Sequence, residues 1–260
     1  MELESIRRGM EEIARRAGKI IREAQNIQDS VSEKTGPGDV VTKYDVAVQQ
    51  FLKEELKKLC PEADFLGEEG EHEALSADWV FVVDPIDGTT NFVRSFRYSN
   101  TSIALTYKGR TEVGVVYHPY ADELFSARRG CGAACNGKSI HVSRRDVRHG
   151  IALLGCTVYT PESTDRFFRI NRALYDRFCD YRRFGAGALD LCQIAAGRAE
   201  LYYEFRLRPW DFAAGCLLVE EAGGVVCDME GRELNVLQDS SLFCANRLCA
   251  GERELFDRIG

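Results

Sequence analysis

The most constraining feature of this chain is an apolar, β-branched run that leads directly into two acids and a turn. Residues 79–83 (Trp-Val-Phe-Val-Val) predict a fully buried strand. Asp84-Pro85-Ile86-Asp87-Gly88-Thr89-Thr90-Asn91 follows, in which Pro85 removes a backbone donor and Gly88 permits a tight turn. We expect Thr89 or Thr90 to cap a following helix, whose free N–H groups face the same place. Carboxylates for a hard cation beside N–H groups for an anion suit a metal and a phosphate together.

The bulk composition indicates a globular protein of one large domain or two lobes. The chain has 260 residues, 45% of them apolar, and a net charge of −7. This acidic balance argues against a nucleic-acid-coating surface, and no segment approaches the roughly 18 apolar residues of a membrane span. Because residues 1–5 are polar and acidic, unlike a signal peptide, we expect a cytoplasmic protein with neither a membrane nor a nucleic-acid partner.

The ten cysteines are spread without the spacing of a disulfide framework. The nearest pairs, Cys131/Cys135 and Cys244/Cys249, do not resemble a zinc knuckle, and no histidine stands at ligand spacing. Others lie in apolar runs, where free cysteine behaves as a small hydrophobe. Free thiols in a reducing compartment are therefore expected.

The order of predicted elements divides a single domain, 1–260, into approximate lobes 1–147 and 148–260. A helical stripe over 6–24, a Gly-Pro-Gly turn between extended stretches, and a helix from Asp45 to Leu59 come first. A β meander over 98–143 follows the acidic motif. Beyond residue 151, strands alternate with helices, which favours an α/β layer in the second lobe and an α+β class for the whole chain.

Four acids lie near the ends of predicted strands or at turns: Glu68, Asp84, Asp87 and Asp211. Taken singly, each has a simpler interpretation as a solvated turn residue or, for Asp211 after Pro209 and Trp210, as a helix N-cap. If they converge, their mutual repulsion requires bound cations. An oxygen-only ligand set suits Mg²⁺, and the absence of nearby His and Cys argues against zinc.

These motifs together resemble the inositol monophosphatase family. The first is the Asp84–Asn91 run with Gly67-Glu68-Glu69 upstream. The second is Pro209-Trp210-Asp211 followed by Glu221-Ala222-Gly223-Gly224, and the run from Leu207 to Gly215 is especially similar to bacterial members. Two separated motifs in the right order, within a resemblance that covers nearly the whole chain, make a chance match very improbable.

The resemblance implies a layered αβαβα sandwich, a homodimer, and Mg²⁺-dependent, lithium-inhibited hydrolysis of phosphomonoesters, first of all myo-inositol 1-phosphate. It places the metals on Glu68, Asp84, Asp87, Asp211 and the backbone carbonyl of Ile86. It places the phosphate at Gly88 and Thr89. Thr89 and Asp45 would position and deprotonate the attacking water, with Glu68 sharing that role. Lys34 would support a further metal or the nucleophile, although a solvated lysine is the simpler interpretation.

The residues that the resemblance places around the substrate come from both lobes: Ile86, Asp87, Gly88, Thr89, Gly185, Ala186, Gly187, Glu204 and Asp211. Glu204 matches a position that bonds substrate hydroxyls. Ala186 stands where some relatives carry a hydroxyl residue, and Cys156 where some carry serine. A related sugar phosphate is therefore an alternative to the inositol ring.

Other functions remain open or are excluded by particular residues. Fructose-1,6-bisphosphatase and histidinol-phosphate phosphatase activities stay as alternatives. Thr90-Asn91 stands against the bisphosphate-nucleotide branch, which usually carries Lys-Glu there, and Pro85 occupies the position at which a haloacid-dehalogenase phosphatase needs its nucleophilic Asp. A regulatory binding protein in RNA metabolism is the non-enzyme alternative, but the complete set of acids argues against lost catalysis.

Overall fold

Two large β-sheets and three layers of helices alternate among the residues that the structure describes, giving an α+β layered fold of the αβαβα type. The computed structural model describes residues 2–36, 39–70, 74–155 and 161–259. The fold class expected from the sequence is thereby confirmed. No helix in these described ranges is long and apolar enough to cross a bilayer.

Seven α-helices form within the described residues. In chain order they are α1 (Leu3–Glu23), α2 (Lys43–Leu59), α3 (Thr89–Val93), α4 (Pro161–Tyr175), α5 (Gly187–Ala195), α6 (Pro209–Glu221) and α7 (Arg253–Ile259). The first is strongly amphipathic, with buried residues that recur every three or four positions from Ile6 to Ile21. It therefore lies on a sheet with one face and meets solvent with the other.

Fourteen strands form in the same described ranges. They are β1 (Ser32–Gly36), β2 (Asp39–Val41), β3 (Asp64–Gly67), β4 (Trp79–Asp87), β5 (Asn100–Tyr107), β6 (Arg110–His118), β7 (Glu123–Arg128), β8 (Ala133–Cys135), β9 (Lys138–Ile140), β10 (Ile151–Leu154), β11 (Asp180–Arg182), β12 (Leu201–Leu207), β13 (Val225–Cys227) and β14 (Ser240–Ala245). Strands β1 and β2 pair with each other as an antiparallel ribbon.

The first sheet has the order β3-β4-β5-β6-β7-β8-β9, and all its pairs are antiparallel except β3–β4. The second has the order β11-β10-β12-β14-β13, with β10 parallel to both its neighbours. Because β3 and β4 run in parallel, their carboxyl ends meet at one edge of the sheet. The acidic motif lies at this edge.

The five layers have three separate cores. Helices α1 and α2 cover one face of the first sheet, where Phe81 and Val83 point. Helices α5 and α6 fill the space between the two sheets, together with Val80 and Val82. Helices α4 and α7 cover the outer face of the second sheet. Strand β4 is thus buried on both faces, which is why its sequence is a continuous apolar run rather than an alternating one.

Several boundaries differ from those expected. Strand β4 continues through both acids to Asp87, with an irregularity in its pairing between Asp84 and Asp87. The short strand β11 was missed, because its three residues are all exposed and show no apolar pattern. The turn residues Pro37 and Gly38 lie outside the described residues. The division into lobes at residue 147 stays a prediction.

The expected helix caps were also partly wrong. The N-cap of α3 is Gly88, not a threonine, because the backbone there adopts a left-handed conformation with φ of 81°. Asp211 is the third residue of α6 rather than its N-cap, which is Arg208. Asp45 lies in the first turn of α2, as expected, and forms a capping box with Thr42.

Candidate functional site

Five acids from four parts of the chain converge at the carboxyl ends of β3 and β4. The backbone N–H of Glu68 donates to the Val83 carbonyl (3.2 Å), so Glu68 lies beside the end of β4. Burial raises the pKa of Asp84 well above its usual value, and the negative charges of Glu68, Asp87, Asp211 and Asp45 raise it further. The convergence of the four predicted acids, with Asp45 beside them, is therefore a feature of the tertiary structure.

Asp84 is the most isolated of these carboxylates. Its side chain is buried, and its Oδ1 atom has no hydrogen-bond partner among the described residues. A buried, unpaired carboxylate oxygen surrounded by other acids is costly unless a cation neutralises it. Within the described residues, no three His, Cys, Asp or Glu side chains are already drawn together closely enough to hold a metal.

Asp87 links the end of β4 to the start of α5. Its Oδ2 accepts from Asn100 Nδ2 (2.7 Å) and from the backbone N–H of Ala188 (2.9 Å), and its Oδ1 accepts from the N–H of Gly187 (3.1 Å). Gly187 and Ala188 are the first residues of α5, so their N–H groups have no partner within the helix. Burial raises the pKa of Asp87 to about 6, although the bonds from Asn100 and Ala188 oppose this.

Asp211 has one oxygen held by the protein. Its Oδ2 accepts from the backbone N–H of Arg208 (2.7 Å), which fixes the side chain at the start of α6. Burial raises its pKa well above the usual value, followed by the charges of Asp87 and Glu68. The acid thus stabilises the helix end and still faces the cluster, so the structural and the functional interpretations of this residue are compatible.

Asp45 and Thr89 form a hydrogen-bonded pair at the edge of the cluster. The Thr89 hydroxyl lies 3.2 Å from Asp45 Oδ1 and 3.0 Å from the Ile86 carbonyl, and its single proton can serve only one of them at a time. Asp45 Oδ2 accepts from the backbone N–H of Thr42 (2.8 Å) and from its hydroxyl (2.6 Å). Burial raises the pKa of Asp45, while the bonds from Thr42 lower it.

Lys34, whose simpler interpretation was a solvated side chain, is in fact paired with two acids. Its Nζ lies 2.8 Å from Glu68 Oε1 and 2.6 Å from Glu69 Oε1. Although burial acts to lower the pKa of Lys34, the two carboxylates outweigh it and the pKa is raised. Burial also raises the pKa of Glu69 to about 7, and the bond from Lys34 opposes this. An ammonium group therefore already neutralises the Glu68 side of the cluster.

Gly88 brings the acidic turn close to Ala186, just before α5. A Cβ atom at this position would lie 3.0 Å from the Ala186 Cβ and 3.0 Å from the Tyr98 carbonyl oxygen. Together with its positive φ, this close approach leaves room for glycine alone. The expectation that Gly88 opens the turn is explained by two constraints, of which only the backbone conformation was readable from the sequence.

A cavity of about 200 Å³ opens beside the acids and is lined by six of the nine expected substrate residues; Ile86, Gly88 and Thr89 are not among its lining residues. Its lining includes Asp87, Gly185, Ala186, Gly187, Glu204 and Asp211. Glu204 is buried, with its Oε1 accepting from the backbone N–H of Phe205 (3.0 Å). Cys156, which was expected to line the same side, lies outside the described residues.

Sequence reasoning missed three residues that hold this cavity in shape. Asp190 lines it and accepts a bond from the Tyr98 hydroxyl (3.0 Å). The Asn91 amide donates to the Tyr98 carbonyl (2.9 Å) and to the Phe184 carbonyl (2.8 Å). These bonds connect the acidic turn to the loop that precedes α5. Asn100 bonds Asp87. Asn91 stands in the quoted motif, but the sequence offers no local signal for Asn100 or Asp190.

The chain matches the model of the inositol monophosphatase family over residues 2–258, and it belongs to that family. It is 42% identical over 221 residues to a protein of Salmonella typhimurium named Nus factor SuhB, covering 84% of this chain and 83% of that protein. The family resemblance inferred from the two motifs is thereby confirmed.

Solved structures agree with this assignment. An inositol monophosphatase (IMPase) of Thermotoga maritima superposes with a TM-score of 0.86 at 31% identity, covering 96% of this chain and 98% of that one. A structure described as an IMPase/NADP phosphatase complexed with Mg²⁺ and phosphate superposes with a TM-score of 0.80 at 26% identity, covering 93% of this chain and 87% of that one. Both relatives share the layered fold of this chain.

Proposed function

We propose that this protein is a Mg²⁺-dependent phosphomonoesterase that acts on a small polyol phosphate, with myo-inositol 1-phosphate as the first candidate. The observation that carries the proposal is the cluster of buried acids around Asp84, next to the Asp45–Thr89 pair. Such a cluster needs cations to be stable at neutral pH. The similar IMPase/NADP phosphatase complexed with Mg²⁺ and phosphate supports magnesium as the cation.

In this proposal, Glu68, Asp84, Asp87, Asp211 and the Ile86 carbonyl hold the metal. Their donor set consists only of oxygen atoms, which suits Mg²⁺. Asp84 and Asp87 are buried, Asp211 is partly buried, and Asp84 has an oxygen atom with no partner among the described residues. When bound, the metal supplies Lewis-acid stabilisation of the phosphoryl oxygens and lowers the pKa of an attacking water.

In this proposal, Thr89 and Asp45 position the attacking water and accept its proton. The Thr89 hydroxyl can donate to Asp45 Oδ1 while its oxygen accepts a bond from a water molecule. Asp45 is held in place by both donors of Thr42, so it does not need to reorient to accept the proton. The raised pKa of Asp45, caused first by burial, makes it a better base than an exposed aspartate.

The other residues position the substrate. Gly88 and Thr89 would bind the phosphate through the backbone of the turn, which lies against Ala186. Glu204 would accept bonds from hydroxyl groups of the alcohol in the adjoining cavity, where Gly185 and Gly187 leave space for the ring. A substrate rich in hydroxyl groups fits a buried carboxylate better than an apolar alcohol does.

Phosphate release with Mg²⁺ tests the proposal. The panel contains inositol 1-phosphate, fructose 1,6-bisphosphate, histidinol phosphate and adenosine 3′,5′-bisphosphate. We expect turnover that is lost with a chelator and highest with inositol 1-phosphate. Turnover that is highest with one of the other esters would replace the substrate but keep the phosphatase. No Mg²⁺-dependent release from any ester would reject the function.

We also propose that the protein is a cytoplasmic homodimer, as the family resemblance implies. All cysteines among the described residues are free, which supports a reducing compartment. Light scattering coupled to size-exclusion chromatography measures the assembly directly, and a monomer at micromolar concentration would contradict the dimer.

A second role is supported by the name of the Salmonella typhimurium relative, Nus factor SuhB. We propose that this chain also contributes to transcription through a protein contact that does not use the metal site. RNA polymerase binding by the wild type and by the Asp87→Asn variant tests this role. Equal binding is expected, and no binding by either protein would reject it.

A further inference from the structure

Asn100 makes the shortest hydrogen bond to Asp87 that is seen among the described residues. The antiparallel register of β4 and β5 places Asn100 directly opposite Asp87, and its Nδ2 lies 2.7 Å from Asp87 Oδ2. The Asn100 side chain is completely buried, so no solvent competes for this bond. A buried donor that faces a carboxylate of a proposed metal site is a partner for that carboxylate rather than a surface contact.

The orientation of the Asn100 amide follows from its neighbours. Asp87 Oδ2 accepts from Ala188 and has no proton to give when ionised, so the nitrogen of Asn100, not its oxygen, must face it. The amide oxygen of Asn100 points elsewhere and has no partner among the described residues. The bond from Asn100 to Asp87 therefore comes with one buried oxygen atom of Asn100 that has no partner among the described residues. An asparagine that served only to stabilise the fold would be expected to bond through both ends of its amide.

Asp87 is held from two sides. Asn100 and Ala188 donate to Oδ2, and Gly187 donates a longer bond to Oδ1. The backbone N–H of Leu189 also bonds this carboxylate. The two donors on Oδ2 fix the rotation of the carboxylate. Since the donors on α5 are all backbone N–H groups, Asn100 is the one side chain among the described residues that is seen to bond Asp87.

We propose that Asn100 is a positioning residue that holds the Asp87 carboxylate in the orientation in which it would bind Mg²⁺. This inference rests on the proposed function, because it takes Asp87 as a metal ligand. Partners that orient a ligating carboxylate typically change metal affinity by about 10- to 100-fold when they are removed. Loss of the Asn100 donor should therefore weaken Mg²⁺ binding by this factor while leaving the chemical step intact.

The test compares Asn100→Leu with a control on the same strand. Leucine keeps the branching and the number of side-chain heavy atoms of asparagine, but its methyl groups are bulkier and it cannot donate. Thr106→Val is the control, because Thr106 is also buried in β5 and also donates a side-chain bond, to the Val80 carbonyl (3.1 Å), but touches none of the proposed ligands. Calorimetric titration with Mg²⁺, without substrate, gives the dissociation constant of each protein.

We expect a 10- to 100-fold higher dissociation constant for Asn100→Leu and less than a twofold change for Thr106→Val. At saturating Mg²⁺, kcat of Asn100→Leu should recover to within about threefold of the wild type. Asn100→Ala, a truncation that strand β5 tolerates more easily, should show the same split if the leucine variant does not fold.

Three results would overturn the inference. One is a wild-type Mg²⁺ affinity in the folded Asn100 variants, and another is an equal loss of affinity in Thr106→Val. The third is a kcat that stays low at saturating Mg²⁺, which would contradict a positioning role. If the wild type itself neither binds Mg²⁺ nor releases phosphate, the proposed function fails instead, so the two failures are distinguishable.

Discussion

Replacing Asp87 with asparagine should make the metal-free protein more stable at neutral pH and abolish phosphate release. Asp87 is buried, and its pKa is raised from 3.8 to about 6. A group whose folded pKa lies above its unfolded value binds its proton more tightly when folded. Its contribution to stability is thus complete below about pH 3.8 and is lost as the pH rises through about 6. The metal-free wild type carries this deficit at pH 8.

The magnitude follows from the shift and from the contacts of the new side chain. At about 1.4 kcal/mol per pKa unit, the deficit at pH 8 amounts to about 3 kcal/mol. Asparagine removes it, since it has no charge. Its oxygen can still accept from Asn100 and Ala188, but its NH₂ group then faces the N–H of Gly187, which costs about 1 kcal/mol. The net gain is about 2 kcal/mol, or about 4 to 8 °C in Tm.

Urea unfolding with a chelator at pH 4 and pH 8 measures this effect. Asp87→Asn should be more stable than the wild type at pH 8 and slightly less stable at pH 4. Added Mg²⁺ at 100 times its Kd should raise wild-type stability at pH 8 by about 2.7 kcal/mol and the variant far less. A variant that is less stable than the wild type at pH 8, or that turns over substrate at a near-normal rate, would refute the assignment of Asp87.

Three further predictions follow from the contacts of Thr89, Gly88 and Glu221. Thr89→Ala should lower kcat by about 10²- to 10⁴-fold, whereas Thr89→Ser should retain most activity, because the hydroxyl group links the water to Asp45. Steady-state kinetics at saturating Mg²⁺ measures this effect, and an active alanine variant would contradict it. Gly88→Ala should lower the free energy of unfolding by about 1 to 3 kcal/mol, because the alanine Cβ would press on Ala186 and the backbone at position 88 has a positive φ. Unchanged stability in urea would show that the turn relaxes. Glu221→Ala should lower the free energy of unfolding by about 1 to 3 kcal/mol and leave kcat unchanged. The Glu221 carboxylate accepts three backbone N–H bonds from one turn far from the acid cluster. A loss of kcat without a loss of stability would argue against this structural role.

The last of these contacts explains a motif that the family resemblance singled out. Glu221 holds the turn at Gly130, Cys131 and Gly132 through bonds of 2.7 to 3.0 Å. Gly223, just after α6, has a φ of 89°, which glycine adopts without strain. The second half of this motif is therefore explained by folding, whereas Asp211 belongs to the acid cluster.

Much of the architecture could be predicted from the sequence because it depends on local periodicity and turn chemistry. The apolar run before Asp84 predicts a strand buried on both faces, and the stripe from Ile6 to Ile21 predicts a helix on a sheet. The positions of Asp84, Asp87 and Gly88 at the end of that strand were also readable. Each inference uses residues no more than about twenty positions apart.

Only the tertiary structure decided which residues meet at the site. Asp87 bonds Asn100 because of the register between β4 and β5. It bonds Ala188, 101 residues away, because α5 packs between the sheets and its first N–H groups have no partner within the helix. The bond between Lys34 and Glu68 likewise joins residues that are 34 positions apart in the chain. Register and layer packing are set by the fit of whole surfaces, which leaves no local pattern in the chain. The sequence therefore determined the acids and their turn, whereas the fold determined the partners that hold them.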